Sequence, residues 1–209
     1  MSLRTDVSVL YVDPRGPYPK LVADWWDEER DARLYAGPNP VVAHPPCERW
    51  GRYWGGGPML AGTTKQKKLG DDGGCFAAAL AAVRKWGGVL EHPEATHAFR
   101  AHGLLAPEWG RGWQPAGDFA GFVCCVAQGN YGHRARKLTW LYAVAPVLPE
   151  LDWSIPTGMA RLDNGNGPGR KRATHRERIE KFERRESPLP FAELLIGLAA
   201  QAKPVARSA

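Results

Sequence analysis

Short apolar runs, each followed within two positions by a proline, mark the first half of this chain. Val7–Val12, Val41–Ala43 and Val89–Glu91 are runs of this kind, and they are rich in β-branched residues. Their length and composition predict buried β-strands. The later apolar runs Phe122–Ala127 and Leu138–Ala145 predict two further strands.

Apolar residues recur at helical spacing in two segments. The first runs from about residue 74 to 86, after the candidate N-caps Asp71 and Asp72 and before a Gly-Gly stop. The second begins at Ser187-Pro188, and its apolar residues share one face: Phe191, Leu194, Leu195 and Leu198. The charged segment Trp25–Tyr35 predicts a third, shorter helix.

The succession of strand, helix and strand predicts a right-handed βαβ unit and a parallel sheet. We therefore expect a single α/β domain over residues 1–209. The chain has no stretch of about 18 apolar residues, so no membrane span is expected. Its first residues lack the pattern of a signal peptide, so we expect a cytoplasmic protein.

The charge balance favours a polyanionic partner. The chain carries 28 Lys and Arg against 22 Asp and Glu, a formal charge of +6. Residues 161–186 alone hold nine of these cations and five of these anions. DNA is the partner that this balance favours, and a merely soluble basic protein is the alternative.

The cysteines give no sign of a disulfide framework. There are four, and Cys124 and Cys125 are adjacent, which favours reduced thiols. His44 and Cys47 are spaced like one pair of zinc ligands, but no second pair stands at matching spacing. We therefore expect no metal.

Polar residues at the ends of the predicted strands form a candidate active site. Cys47 follows one strand, Glu91 ends another, and Arg134 and Arg136 lie in a loop between two later strands. The carboxyl ends of parallel strands line the ligand crevice of an α/β sheet. We expect these side chains to converge there.

This set of groups suits attack on a pyrimidine ring. A thiolate is the best protein nucleophile for C6 of the ring. A buried glutamic acid would relieve the resulting charge by giving a proton to N3. Arginine would hold a carbonyl oxygen and a flanking phosphate.

Three motifs in order resemble those of the DNA cytosine-C5 methyltransferases. Pro45-Pro46-Cys47 is similar to the family's catalytic Pro-Pro-Cys motif, and Glu91 to the glutamate of its Glu-Asn-Val motif. His133-Arg134-Ala135-Arg136 is similar to its Gln-x-Arg-x-Arg motif. The resemblance covers roughly residues 41–145, and the last predicted helix resembles the C-terminal segment of phage-type members.

The resemblance implies a transferase that modifies C5 of cytosine in DNA through a covalent adduct between Cys47 and C6. It implies a Rossmann-like class I methyltransferase fold with a mostly parallel sheet and an abbreviated N-terminal half. The catalytic set that it implies also contains Glu91, Arg134 and Arg136. The implied contacts to a flipped-out base come from His44, Pro45, Pro46, His92, Gln128, His133 and Lys137.

S-adenosylmethionine is the donor that the resemblance implies, with Asp13 in its site. Residues 147–173 stand where a reduced target-recognition insert is expected. The family's glycine-rich Phe-x-Gly-x-Gly loop is absent, and the sequence Asp-Pro-Arg-Gly-Pro stands at residues 13–17 instead. Glu48 replaces the glutamine after Pro-Pro-Cys, and His92-Pro93 replaces Asn-Val.

Alternatives remain open for each residue and for the whole protein. Cys47 alone is also compatible with a buried core cysteine, Glu91 with an ion pair, and the basic loop with a solvated turn. One alternative function is a catalytically inactive DNA-binding accessory protein of a phage or mobile element. Another is an enzyme that modifies pyrimidine nucleotides with a different one-carbon donor.

Overall fold

The computed structural model describes residues 2–56, 58–157, 160, 179 and 183–202. Within these residues seven strands form one sheet: β1 Arg4–Leu10, β2 Val22–Trp26, β3 Val41–Ala43, β4 Gly88–Pro93, β5 Gln114–Pro115, β6 Phe122–Ala127 and β7 Leu138–Val144. The helices of the same residues are α1 Cys75–Trp86, α2 His97–Ala101 and α3 Leu189–Gln201. The protein has the predicted α/β class.

The sheet is mixed rather than mostly parallel. Its order is β2-β1-β3-β4-β7-β6-β5. β1 is parallel to β2 and β3, and β3 is parallel to β4. β7 is antiparallel to both β4 and β6, and β5 is antiparallel to β6. The prediction fails in this half because a short connection with a 3₁₀ turn, and no crossover helix, joins β6 to β7.

The segment from residue 22 to 35 also differs from its predicted structure. Trp25 and Trp26 end the edge strand β2, and only a 3₁₀ turn at Ala32–Leu34 follows, so the predicted helix is wrong. The Arg30 guanidinium lies 4.1 Å from the centre of the Trp26 ring. Charged residues therefore cover the edge strand β2. The same charged residues give the segment a composition typical of an exposed helix, which explains the wrong prediction.

The two faces of the sheet are covered by different helices. Val41 and Ala43 of β3 pack in the same cluster as Phe76 and Leu80 of α1. Val42, which points to the other face, packs with residues of α3. The N-cap of α1 is Gly74 rather than Asp71 or Asp72, but the Asp72 carboxylate accepts hydrogen bonds from the backbone N–H groups of Gly74 and Phe76 at the beginning of that helix.

Several sequence predictions fall largely outside the described residues. These are the insert at 147–173 and the basic region 161–186, of which only isolated parts are described. In the part of the chain that the structure describes, no helix has the length and apolar character needed to cross a membrane.

Candidate active site

The candidate catalytic residues lie at one edge of the sheet. β1, β3 and β4 are adjacent and parallel, so their carboxyl ends share an edge. Asp13 and Cys47 follow the first two of these strands, and Glu91 lies near the end of the third. The structure thus brings the predicted strand-end residues to the same side of the molecule.

Glu91 is the centre of a hydrogen-bond network at this edge. Its side chain is 12 % exposed, and that of His44 is 14 % exposed. His44 Nδ1 lies 3.1 Å from Glu91 Oε2, and Gln128 Nε2 donates to Glu91 Oε1 over 3.1 Å. Gln128 is fully buried, and it also donates to Thr139 Oγ1. Both oxygens of the Glu91 carboxylate therefore have protein partners.

The network continues from His44 to the crossover between β1 and β2. The His44 Nε2 atom lies 2.6 Å from the Tyr18 hydroxyl, which is also hydrogen-bonded to Ser187. The rings of Tyr18 and His44 are 5.0 Å apart. Burial and the nearby Glu91 raise the pKa of Tyr18, so its hydroxyl keeps its proton at neutral pH.

Glu91 is a carboxylate in this site. Burial alone would raise its pKa, but the hydrogen bond from His44 and the charges of His44 and Lys137 outweigh that effect and lower the pKa to about 2. The sequence suggested a neutral glutamic acid that could give a proton to a bound ring. In the structure Glu91 holds no proton at neutral pH.

Cys47 is a half-buried thiol beside this network. Burial raises its pKa, the Glu91 carboxylate raises it further, and Arg185 acts in the opposite direction. The ammonium of Lys137 also lies near Cys47 and Glu91; its pKa is lowered by burial and raised by these two groups. Deprotonation of Cys47 would place a thiolate beside two cations, which offset its charge.

A short segment, Glu183–Ser187, covers this edge of the sheet. Its backbone carbonyls accept hydrogen bonds from Lys137 Nζ, at 2.7 Å, and bond to His133 Nε2. Arg185 in the segment pairs with Glu48, the residue after Cys47. Glu183 pairs with Arg134 over 2.8 Å. This covering segment therefore fixes the loop that carries Cys47 and the loop that carries Lys137.

The basic loop contributes differently from its prediction. Arg134 holds the covering segment, and Arg136 is exposed. Among the Lys and Arg side chains, Arg185 lowers the pKa of Cys47 and Lys137 lowers that of Glu91, where His44 has the larger effect. Tyr18 and Arg185 were missed by sequence reasoning, because no motif marks them and they come from distant parts of the chain.

His92 lies beneath the site. It is fully buried, and its Nδ1 is 2.7 Å from Thr96 Oγ1. Burial lowers its pKa to about 4, although Glu91 and the Pro46 carbonyl act in the opposite direction. A neutral imidazole in contact with the Pro46 backbone supports the turn that presents Cys47.

An open cleft of about 750 Å³ lies beyond the ends of β1 and β2. Asp13 and Arg15 form an ion pair on one side of it, and the pair lowers the pKa of Asp13 to about 2. Asp27, Glu28 and Glu29 also line the cleft. The lining is therefore acidic, and carboxylates of this kind suit the hydroxyl and cationic groups of a ligand.

The rest of the described chain offers no group of three His, Cys, Asp or Glu side chains arranged to hold a metal ion. In comparisons with protein-family models, curated proteins and solved structures, nothing matched the chain. The arrangement of the site itself therefore carries the functional argument.

Proposed function

We propose that this protein modifies C5 of a pyrimidine base in DNA, with cytosine as the first candidate, through a covalent adduct of Cys47. The observation that carries the proposal is the juxtaposition of Cys47 and Glu91 at the ends of the adjacent parallel strands β3 and β4. The three resembling motifs occur in the same order along the chain. One reversed strand between strands of the opposite direction, here β7, is also a feature of class I methyltransferase sheets, although β5 is reversed here as well.

The reaction begins with the thiol of Cys47. It loses its proton to solvent, and the sulfur then forms a bond to C6 of the base, which makes C5 nucleophilic. Lys137 and Arg185 stabilise the thiolate by their charge. After C5 has accepted the one-carbon group, loss of the C5 proton and cleavage of the S–C6 bond restore the ring.

The chain offers a place for the donor. Asp27, Glu28 and Glu29 would hold S-adenosylmethionine in the cleft beyond β1 and β2, and this group supplies an electrophilic methyl when bound. The base must leave the DNA stack to reach Cys47, as for other enzymes that act on a base.

Covalent trapping tests the proposal. A DNA oligonucleotide that contains 5-azacytosine should form a denaturant-resistant complex with the protein without any donor. An oligonucleotide with 5-fluorocytosine should do so when S-adenosylmethionine is added, because fluorine blocks the elimination that releases the enzyme. Cys47→Ala should abolish both complexes, and Glu91→Gln should slow their formation.

Cys75→Ser is the matched control, because Cys75 is also half-buried but its charged neighbours are Asp72 and Arg33 rather than Glu91 and Lys137. It should trap DNA as well as the wild type does. No adduct of the wild-type protein with either probe would overturn the proposal and favour the inactive DNA-binding protein. An adduct with the free nucleotide alone would favour a nucleotide-modifying enzyme.

A further inference from the structure

His44 contacts both Glu91 and a second proton-carrying group, and the steps above make no use of it. Its Nδ1 faces Glu91 Oε2 at 3.1 Å, and its Nε2 faces the Tyr18 hydroxyl at 2.6 Å. The side chain is only 14 % exposed, so these two contacts dominate its surroundings. A polar ring held on both sides in this way has a fixed orientation.

The network satisfies His44 in both of its protonation states. A neutral ring donates from Nδ1 to the Glu91 carboxylate and accepts from the Tyr18 hydroxyl. An imidazolium donates from both nitrogens, and the Tyr18 hydroxyl can then turn its own proton toward Ser187. In both of these states each ring nitrogen of His44 therefore has a hydrogen-bond partner.

We infer that His44 is a positioning residue that stores, next to Glu91, the proton that the base needs at N3 during attack by Cys47. This inference rests on the proposed function. The His44 imidazolium gives its Nδ1 proton to the Glu91 carboxylate, and Glu91 passes a proton on to N3 as the S–C6 bond forms. The His44 ring is then neutral, the base is protonated at N3, and Glu91 is a carboxylate again. When the S–C6 bond breaks, the proton returns from N3 through Glu91 to His44.

Glu91 does not perform this transfer alone. Its pKa of about 2 leaves it without a proton at neutral pH. Tyr18 is also a poor source, because burial raises its pKa. His44 is the group between them, and it is in contact with both.

Several charged or titratable groups act on this proton. Glu91 is the carboxylate that contacts His44. Lys137 and His92 also act on Glu91, and both lower its pKa. The remaining groups around the network are Tyr18 from the crossover, Cys47 from the following loop and Arg185 from the covering segment.

The pH dependence of trapping by the 5-azacytosine oligonucleotide tests the inference. The wild-type rate should be bell-shaped, rising as Cys47 becomes a thiolate and falling as His44 loses its proton. In His44→Asn the new amide can donate to Glu91 but cannot carry a proton. We expect its rate near the optimum to drop roughly a hundredfold and its falling limb to disappear.

His97→Asn is the matched control, because His97 is exposed at the start of α2. It should keep the wild-type rate and profile. Lys137→Arg keeps a cation that does not titrate in this range, and it should retain the falling limb. If His44→Asn does not fold, the pH profiles of Lys137→Arg and the wild type still test the inference.

The outcomes separate the two proposals. If the wild type forms no adduct, the proposed function fails and the inference fails with it. If the wild type forms the adduct but His44→Asn keeps a wild-type rate and a bell-shaped profile, only the inference is overturned. The inference about His44 is also overturned if the wild-type profile has no falling limb, or if Lys137→Arg loses that limb.

Discussion

The imidazole of His92 ties the end of β4 to the start of α2. Thr96 Oγ1 lies 2.7 Å from its Nδ1, and the same oxygen accepts the backbone N–H of Ala98 as a helix cap. The Phe76 ring packs edge-on against the imidazole, with 5.2 Å between the ring centres. This residue is buried as a neutral group, so its protonation is coupled to folding.

The stability of the protein should therefore fall in mild acid. The pKa of His92 is about 4 in the folded protein, against 6.5 as its ordinary value, because burial disfavours the cation. The unfolded chain binds this proton first, so the free energy of unfolding should decrease by up to about 1.4 kcal/mol per pH unit from pH 6.5 toward 4. Urea unfolding at several pH values measures this slope.

His92→Asn should flatten the slope in that range, while the control His97→Asn should keep it. Glu91 acts at lower pH, because its lowered pKa gives stability above about 4.5 that is lost as pH falls toward 2. A full slope between pH 6.5 and 4.5 in His92→Asn would contradict the assignment to this residue.

At the scale of single residues, the sequence predicted where the site residues lie on the sheet better than it predicted which groups contact them. Cys47 and Glu91 could be found because each stands next to an apolar run that forms a strand. The ionisation of Glu91 could not, because His44 and Lys137 set it through space. Tyr18 reaches the site from a crossover whose path no pattern in the sequence indicates.

The contact between β3 and β4 depends on one glycine. Gly88 begins β4 with a φ of +112°, and a Cβ built on it would lie 2.0 Å from the carbonyl oxygen of Val41. Backbone atoms cannot move aside as a flexible side chain can. The two strands that carry Cys47 and Glu91 therefore approach each other at a point where only glycine fits.

Gly88→Ala should lower the free energy of unfolding by about 3 kcal/mol or more, because it adds both a clash and an unfavourable φ. Gly197→Ala is the control within α3, where a new Cβ meets no atom within 4 Å. It should raise stability by about 0.5–1 kcal/mol, since alanine favours a helix. Equal unfolding midpoints for the two variants in urea would contradict this account.

At the scale of elements, periodicity located the two long helices, α1 and α3, but not the short helix α2. Both helices begin within two residues of their predicted starts, because Asp72 precedes α1 and Ser187-Pro188 precedes α3. Strand direction was not predictable, since an apolar run looks the same in either direction. β2 was missed because its two tryptophans precede a charged stretch with helix-like composition.

For the whole molecule, the distribution of charge is the feature that bears on DNA. The loop after Cys47 carries five cations, Arg49, Arg52, Lys65, Lys67 and Lys68, and one anion, Glu48. It adjoins the edge of the sheet where Cys47 lies. Lys20 and Lys85 are exposed cations near the opposite edge, beside the starts of β2 and β4.

DNA affinity should fall steeply with salt, because cations that bind phosphates release counterions. Lys67→Gln with Lys68→Gln should reduce the slope of log affinity against log salt by about 0.9 for each lysine that contacts a phosphate. Lys20→Gln with Lys85→Gln should leave the slope unchanged. Binding titrations at several salt concentrations measure it, and an affinity independent of salt would contradict a phosphate-dominated interface.

The covering segment Glu183–Ser187 has a consequence for biosynthesis. It fixes both loops around Cys47, and α3 directly after it closes one face of the sheet. A ribosome delivers these residues after all seven strands have emerged. The nascent chain therefore exposes an apolar sheet face and an uncovered cysteine until then, which makes this interval the period of greatest risk of aggregation and oxidation.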